Sequence, residues 1–204
     1  MSDCAGMNDV RKYHHGDLKR ALIQAGIEIL RTEGLDRLSL RACAERAGVS
    51  HTAPKNHFGN LTGLLTAIAA EGQKQLCAAM QPNQGASRDD RRQAAFEGYV
   101  AFARANPAMF ELMFSRRLVD FSDPVLAAPL GASAAILRDV SGGMIWGKSD
   151  TTDADKRAEM FNWCLVHGFA TLALQGVFDK DGMRDIGIAD ILPGFAFRDP
   201  AAAE

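Results

Sequence analysis

The hydrophobic and polar positions of the chain repeat with a helical period over most of its length. Leu18, Leu22, Ala25 and Ile29 recur at spacings of three and four residues, which is typical of a helix with one buried face. This pattern predicts a helix over residues 17–31 that ends at Gly34. Further segments with the same period follow, so the predicted fold class is all-α.

A second pattern begins at Ser39 and predicts a short helix over residues 40–47. The Ser39 side chain can accept a hydrogen bond from a free N–H of the first helical turn. Gly48 is expected to end this helix in the left-handed conformation. Val49 then occupies the position whose side chain packs back on the helix that has just ended.

A second short helix is expected directly afterwards, with Ser50 as its cap and Pro54 in its first turn. Two short helices joined by a turn that contains glycine form the helix-turn-helix pattern, whose second helix enters the major groove of DNA. The same corner also occurs in helical proteins that do not bind DNA. The second helix favours DNA, because it carries small or hydrogen-bonding side chains and no aliphatic one: His51, Thr52, Lys55, Asn56 and His57.

The rest of the chain predicts a larger helical body. Residues 61–80 form a long helix with Leu64, Leu65, Ile68 and Leu76 inward, connecting the head to the body. We therefore place a helix-turn-helix domain at residues 11–60. A second, helical domain is placed at residues 61–198.

Local sequence signals divide that body into further elements. Ser87 has capping-box spacing to Asp90, and Asn106 is expected to cap a helix that starts at Pro107. Pro124 and Pro129 are expected to keep residues 120–130 irregular or kinked. Helices are expected over residues 132–146 and 183–192.

Residues 160–178 carry no formal charge over 19 positions, which is long enough to raise a membrane span. Their Asn, His, Thr, Gln and Gly side chains argue against that interpretation. The segment is instead expected to be a helix buried by the core and by a second subunit.

Composition and charge distribution narrow the classes of function that the chain can have. Residues 11–60 hold nine Lys and Arg against five Asp and Glu, whereas residues 61–204 hold fourteen against eighteen, so the head alone suits a phosphate backbone. The four cysteines lack ligand spacing, and reduced thiols in a cytoplasmic protein are expected; a redox-sensing cysteine is a minor alternative. No acid–base pair, nucleophile motif or phosphate loop is recognisable, so we expect no enzyme, metal or cofactor.

The chain resembles the tetracycline repressor (TetR) family in three runs over about residues 12–70. These are His15-Gly-Asp-Leu-Lys-Arg-Ala-Leu, Leu38-Ser-Leu-Arg-Ala-Cys-Ala-Glu-Arg-Ala-Gly-Val-Ser50, and His57-Phe58 followed by Leu64-Leu65. Trp163-Cys-Leu-Val-His-Gly168 further resembles the branch named for its Trp-His-Gly motif. The resemblance implies an all-α homodimer that represses transcription from a palindromic operator. It also implies that residues 61–198 form the domain for ligand binding and dimerisation, and that a small molecule bound there releases the operator.

The residues that match the family's motif define the expected DNA contacts. They are Ser39, Arg41, Ser50, His51, Thr52, Asn56 and His57. Lys55 stands where the family usually has Tyr, so it is included as an altered contact. Leu61 stands where the family usually has Lys and is left out. A helical small-molecule-binding protein with weakened or lost DNA binding is therefore the alternative.

Aromatic and methionine side chains after residue 87 are candidates to line a mostly apolar effector site. They are Phe96, Phe102, Met109, Phe110, Met113, Phe114, Trp146 and Phe161, with Tyr99 and Asn162 as polar groups. Ordinary core packing is the more frequent role of any one such residue. His167 lies four residues after Trp163, and we expect it to stack there as a packed, hydrogen-bonded histidine.

Overall fold

The computed structural model describes residues 15–81, 87–144, 153–180 and 182–194, with side chains from Leu18 onward. These ranges contain eight α-helices and no strand, which confirms the predicted all-α class. The helices are α1 His15–Glu33, α2 Leu40–Ala47, α3 Ala53–Phe58, α4 Leu61–Ala79, α5 Arg88–Ala105, α6 Pro107–Phe114, α7 Pro124–Ser141 and α8 Ala154–Leu174.

The first three helices form a small head around the predicted inward face of α1. Leu22 and Ile29 are fully buried, and Leu38 and Cys43 close the same core. Ser39 caps α2 as predicted, because its hydroxyl accepts from the Ala42 N–H at 3.1 Å. The apolar period of the sequence therefore marked the buried face correctly.

The turn after α2 has the predicted glycine geometry. Gly48 has φ 66° and ψ 35°, a left-handed conformation that is strained for residues with a side chain. Its N–H donates to the Glu45 carbonyl at 3.2 Å, and the Val49 N–H donates to the Ala44 carbonyl at 3.0 Å. This double closure satisfies the last carbonyls of α2, and the half-buried Val49 packs on the core.

The start of α3 differs from the prediction, because Ser50 is not its cap. The helix begins three residues later, at Ala53, after a turn in which the Ala53 N–H donates to the Ser50 carbonyl at 3.0 Å. The Ser50 and Thr52 hydroxyls instead lie 3.1 Å apart and hydrogen bond to each other. Pro54 does occupy the first turn, where its missing N–H has no cost.

Helix α4 joins the head to the body, as its length and apolar pattern predicted. It contacts α1 and α3 on one side and α5, α6 and α7 on the other. Leu64, Ile68 and Leu76 are buried within it. Because one hydrophobic core runs through α4 into both parts, the division into domains at residue 60 stays a prediction.

The corner between α5 and α6 confirms one predicted cap and corrects another. Ser87 caps α5 by accepting from the Asp90 N–H at 3.2 Å. Asn106 occupies the N-cap position of α6, but its side chain makes no capping bond there; its NH₂ group donates back to the Phe102 carbonyl at 3.1 Å and so closes the end of α5. Pro107 occupies the first position of α6 as predicted.

Helix α7 runs through the segment that was expected to be irregular. It starts at Pro124, where Asp123 accepts from the Val125 N–H at 2.9 Å, and it ends at Ser141. Pro129 is buried inside the helix. The helix continues through it, because a proline in the second turn removes only one backbone hydrogen bond. The prediction of an irregular segment over 120–130 was therefore wrong from Pro124 onward. The helix predicted over 132–146 forms as far as Ser141, and residues 145 and 146 lie outside the described ranges.

The last described segment also departs from the sequence pattern. In place of a helix over 183–192, only a short 3₁₀ turn, Ala189–Ile191, forms. The Asp190 carboxylate accepts from the Gly187 N–H at 2.7 Å, a local bond that competes with helix formation. Ile188 is buried, and Arg92 donates to the Pro193 carbonyl at 2.7 Å, so the segment is fixed to α5.

Helix α8 covers most of the uncharged run but ends at Leu174, before its last residues. Among the described residues, no helix is both long enough and apolar enough to cross a bilayer. The expected burial on several sides holds only in part within one chain. Val166 and Ala170 are buried, whereas Met160 and Trp163 are 66% and 52% exposed.

Candidate functional site

The outer surface of the head brings the predicted DNA contacts together. Arg41 of α2 is exposed, as are the polar side chains of the turn and of α3: Ser50, His51, Thr52, Lys55 and Asn56. Ser39 and His57 are half-buried beside them. The underside of α3 is formed by Ala53 and Pro54, which are buried. Helix α3 therefore presents hydrogen-bonding side chains outward from an apolar seat, which is the arrangement that base-edge and phosphate contacts require.

The charges on this surface are not equivalent. Lys55 forms an ion pair with none of the described residues. Arg41 is paired along α2, with its Nε 2.8 Å from a Glu45 carboxylate oxygen. The hydrogen bond from Arg41 lowers the pKa of Glu45, so this carboxylate is ionised at neutral pH. An approaching phosphate would have to compete with Glu45 for Arg41.

Helices α2 and α3 are held against their neighbours by polar and aromatic contacts. Arg46 of α2 forms an ion pair with Glu33 of α1. The Lys19 ammonium lies 5.8 Å from the centroid of the Phe58 ring at the end of α3, within cation–π range. Asn60 caps α4 directly afterwards by accepting from the Gly63 N–H at 2.9 Å. These contacts hold α3 in place between α2 and α4, so the orientation of its exposed side is fixed.

A cavity of about 240 Å³ lies in the body. Helices α4, α5, α6, α7 and α8 all contribute to its wall. The lining residues are Gln73, Leu76, Met80, Tyr99, Phe114, Leu130, Ser133, Ala134, Leu137, Glu159, Trp163 and Val166. A mostly apolar cavity with a few polar groups is the usual form of a small-molecule site. We call this space the body cavity.

Two polar side chains in the body cavity are deeply buried. Gln73 is 2% exposed, and its carboxamide oxygen has no hydrogen-bond partner. Leaving such a group unpaired costs about 1–3 kcal/mol. Tyr99 is 4% exposed, and its hydroxyl lies 2.8 Å from Nδ1 of His167. Burial raises the pKa of Tyr99, so this hydroxyl is neutral and remains able to donate.

His167 separates the body cavity from a second space. It stacks on Phe110 of α6, with ring centroids 5.4 Å apart at 27°, and meets the Phe114 edge at 4.5 Å. It is therefore the packed, hydrogen-bonded histidine that was predicted, but it stacks on the rings of α6 and not on Trp163. Burial lowers the pKa of His167, which favours the neutral imidazole.

The second space is an open cleft of about 850 Å³ between the head and the body. The turn after α1 forms one wall with Gly34, Leu35 and Asp36. The other wall comes from α6 and the end of α8, with Phe110, Phe114 and His167 at its base. Phe114 lines both spaces, so its ring is part of the partition between them.

The predicted effector residues are distributed over several places. Tyr99 and Phe114 line the body cavity, and Phe110 with Phe114 lines the cleft. Four others belong to the buried core, outside the body cavity: Phe96, Phe102, Met109 and Met113. Phe161 is half-buried, and Trp146 lies outside the described residues. The assignment of these residues to an effector site stays a prediction.

Asn162 was expected to be a polar group of the effector site, and the structure places it elsewhere. It is fully buried, and its NH₂ group donates to the Ser141 hydroxyl at 2.9 Å near the end of α7. Gln73, which the sequence interpretation missed, faces the body cavity instead. The available signal was an uncharged polar residue three positions before Leu76 on the inward side of α4.

Two of the three cysteines in the described part of the chain, Cys43 and Cys77, are buried, and Cys164 is exposed. Cys43 is fully buried, and burial raises its pKa to about 11, so its thiol stays protonated and unreactive. Burial also raises the pKa of Cys77. Across the described ranges, no three His, Cys, Asp or Glu side chains converge as a metal site.

Part of the body is similar to a known protein family. Residues 92–190 match the family described as the tetracyclin repressor-like C-terminal domain. None of the curated proteins matches the chain significantly.

Solved structures are similar to the chain over most of its length. A protein of unknown function from Rhodococcus sp. RHA1 is 29% identical, with a TM-score of 0.67 over 88% of this chain and 92% of that chain. The Streptomyces coelicolor TetR family protein ActR, in complex with (S)-DNPA, is 17% identical, with a TM-score of 0.57 over 78% and 73%. TetR from Acinetobacter baumannii AYE is 18% identical, with a TM-score of 0.53 over 78% and 76%.

Proposed function

Because residues 92–190 match the tetracyclin repressor-like C-terminal domain, we propose that the chain is a TetR-family DNA-binding transcriptional regulator controlled by a small molecule. The observation that carries the proposal is the exposed polar side of α3, seated on buried Ala53 and Pro54. The exposed positions of α3 carry Lys55 and Asn56, whose side chains suit phosphates and base edges. The regulator would act in the cytoplasm, as a repressor released by its effector.

The DNA contacts divide by chemistry into two groups. Arg41 and Lys55 supply the charges that neutralise phosphates. Thr52 and Asn56 are suited to base edges, because Asn pairs with adenine and Thr offers both a hydroxyl and a methyl group. The polar side chains Ser39, Ser50, His51 and His57 border this surface and complete the proposed contact set.

We propose that two copies of the chain bind one palindromic operator. Two recognition helices can enter successive major grooves when they lie about 34 Å apart. The outer side of α8 offers the dimer contact. Exposed residues of this helix lie at helical spacing together with the half-buried Gly168, and we call this set the α8 stripe: Met160, Trp163, Cys164, Gly168 and Leu172. Exposed apolar surface of this kind marks interaction sites.

Helix α4 is the proposed connection between effector and DNA. Its residues Gln73 and Leu76 form part of the body cavity, and its first turn follows α3 after only Gly59 and Asn60. A ligand that prefers one position of α4 therefore changes the spacing of the two heads. By thermodynamic reciprocity, DNA weakens ligand binding by the same factor.

The alternative, a ligand-binding protein with weakened DNA binding, rests on Leu61. This side chain is 37% exposed at the start of α4, where the resemblance leads one to expect a phosphate-binding lysine. The exposed, unshared charge of Lys55 argues for retained DNA binding. The likeness to ActR, which was solved with (S)-DNPA, supports a ligand site in the body.

The test is fluorescence anisotropy with a labelled duplex from the region upstream of the protein's own gene. We expect saturable binding, with an association constant whose logarithm falls linearly with the logarithm of the salt concentration. A duplex of random sequence should bind at least a thousandfold more weakly. Equal affinity for both duplexes at physiological salt would contradict the proposed regulator.

A further inference from the structure

We infer that the body cavity binds a small uncharged lactam or other cyclic amide, which pairs edge to edge with the carboxamide of Gln73. The inference rests on the proposed function, since it concerns the ligand of that same cavity. It adds the chemical class of the ligand and the residue that selects it. Neither follows from the family match.

Gln73 is the polar residue of the cavity wall whose buried side-chain oxygen accepts no hydrogen bond. Its carboxamide offers one acceptor and two donors, and the oxygen has no partner although the residue is 2% exposed. The neighbouring polar groups are already engaged. The Ser133 hydroxyl donates to the Leu130 carbonyl at 3.0 Å, and the Tyr99 hydroxyl is bonded to His167.

The geometry of a carboxamide defines its best partner. A cyclic amide presents an N–H donor and a C=O acceptor side by side on one edge, so it can form two parallel hydrogen bonds with a glutamine side chain. A ligand with an acceptor alone would satisfy only one end of Gln73. Buried sites built to form such bonds reject analogues that lack them, because the protein group then stays unpaired.

The charges around the cavity exclude an anionic ligand. Its lining contains no Lys, Arg or His, so a carboxylate would be desolvated without a counter-ion. The one charged lining residue is Glu159, which would repel an anion. A cation would have to displace Arg138, whose Nε lies 3.6 Å from Glu159. An uncharged ligand avoids both the desolvation of an anion and the displacement of Arg138.

Size and shape restrict the ligand further. The volume of about 240 Å³ lies below the usual range of about 300–1,000 Å³ for small-molecule sites. Tyr99, Phe114 and Trp163 supply aromatic faces, and the remaining walls are mainly aliphatic. A flat molecule of one or two fused rings with a single amide edge fits these properties.

The experiment compares matched two-ring probes by isothermal titration calorimetry on the full chain. Quinolin-2(1H)-one carries the amide edge, 2-methoxyquinoline keeps the rings but lacks the N–H, and quinoline-2-carboxylate is the anion. We expect the lactam to bind about tenfold more tightly than the methoxy compound, the effect of one or two added hydrogen bonds. The carboxylate should bind most weakly.

Substitutions then connect the preference to the residue. Gln73→Leu should bind the lactam and the methoxy compound equally, and its Tm should equal or exceed that of the unchanged protein. Gln73→Met, which keeps the length of the side chain, is the second variant. Gln75→Leu is the matched control, because Gln75 lies on the same helix outside the cavity lining, and it should keep the tenfold preference.

Two outcomes of the comparison between the lactam and the methoxy compound would overturn the inference. Equal affinities of the unchanged protein for lactam and methoxy compound would remove the lactam class, whether or not the variants fold. If Gln73→Leu still preferred the lactam to the methoxy compound, Gln73 would not be the residue that selects the ligand. Both leave the regulator intact, because its DNA binding is measured separately by anisotropy. Binding of none of the probes also overturns the lactam class.

Discussion

At the scale of single residues, Lys55 is the exposed charge of α3 whose role is most directly measurable. It forms an ion pair with none of the described residues, so its charge is available to a phosphate. Lys55→Ala should weaken operator binding and reduce the slope of log K against log salt by about one for each half-site. The measurement is a salt titration by fluorescence anisotropy. An unchanged slope would remove Lys55 from the interface.

Glu45→Gln provides the control of opposite sign for that experiment. It removes a carboxylate from the same surface and frees Arg41 from its 2.8 Å ion pair. Operator affinity should rise and the salt slope should become steeper. A variant that lowered affinity would indicate that Glu45 positions Arg41 in the complex.

His167 contributes a pH dependence of stability. Burial lowers its pKa in the folded chain from the ordinary value of 6.5, so the unfolded chain binds more protons below that pH. The contribution of His167 to stability is therefore complete above pH 6.5 and is lost as the pH falls toward the folded-state pKa. We expect Tm to fall between pH 7 and pH 5, and His167→Asn to reduce that fall.

The control for this prediction is the hydrogen-bond partner. Tyr99→Phe keeps the imidazole buried beside Phe110 and Phe114, so it should retain the fall in Tm with acid. Scanning calorimetry of the three proteins over this pH range separates the effect of His167 from that of the carboxylates. Equal pH profiles in the unchanged protein and His167→Asn would contradict the assignment.

At the scale of elements, the contact between α3 and α4 depends on the absence of a side chain at Gly63. A Cβ atom there would lie 2.1 Å from the Phe58 carbonyl oxygen, which is backbone and cannot move aside alone. Gly63→Ala should cost about 1–3 kcal/mol of stability by overpacking. It should also weaken operator binding, because α3 is displaced from its seat. Chemical denaturation and anisotropy measure the two effects.

Gly131→Ala is the matched control within a helix. A Cβ atom at Gly131 meets no other atom within 4 Å, so alanine should stabilise α7 by about 0.5–1 kcal/mol. It should leave operator binding unchanged. If both variants lost DNA binding equally, the effect would come from glycine loss in general and not from the α3–α4 contact.

The same scale shows which elements the sequence could predict. Ser39, Gly48 and Ser87 act through bonds to backbone groups within five residues, so local sequence specified them. Pro129 and Asn106 were misjudged for the opposite reason. Burial against the rest of the body makes a proline acceptable in α7. The Asn106 side chain could either donate to a carbonyl at the end of α5 or accept from a free N–H at the start of α6, and local sequence does not decide between them.

At the scale of the whole molecule, the body cavity could not be predicted from helical spacing. Its wall combines residues from five helices, and the aromatic pattern alone could not separate Phe114, which lines it, from Phe96, which is core. The position of Gln73 follows only from the packing of α4 against α7. The exposed side of the head was predictable, since it follows from the apolar underside of two short helices.

The dimer is the remaining element of the proposal, and Gly168 permits a direct test of it. This glycine lies in the α8 stripe between Cys164 and Leu172, and a Cβ atom there meets no atom of its own chain within 4 Å. Gly168→Arg should therefore fold normally, whereas a charged side chain in the stripe would block a second copy. We expect sedimentation to give the mass of a single chain.

Loss of the dimer should also change DNA binding in a defined way. A single head contacts one half-site, so Gly168→Arg should lose the affinity gained when two linked heads bind together. Ala78→Arg, which adds the same charge at an exposed position of α4, should remain dimeric and bind the full operator. A dimeric Gly168→Arg would move the interface away from the α8 stripe, and the spacing of the two heads would then have to be set by another surface of the body.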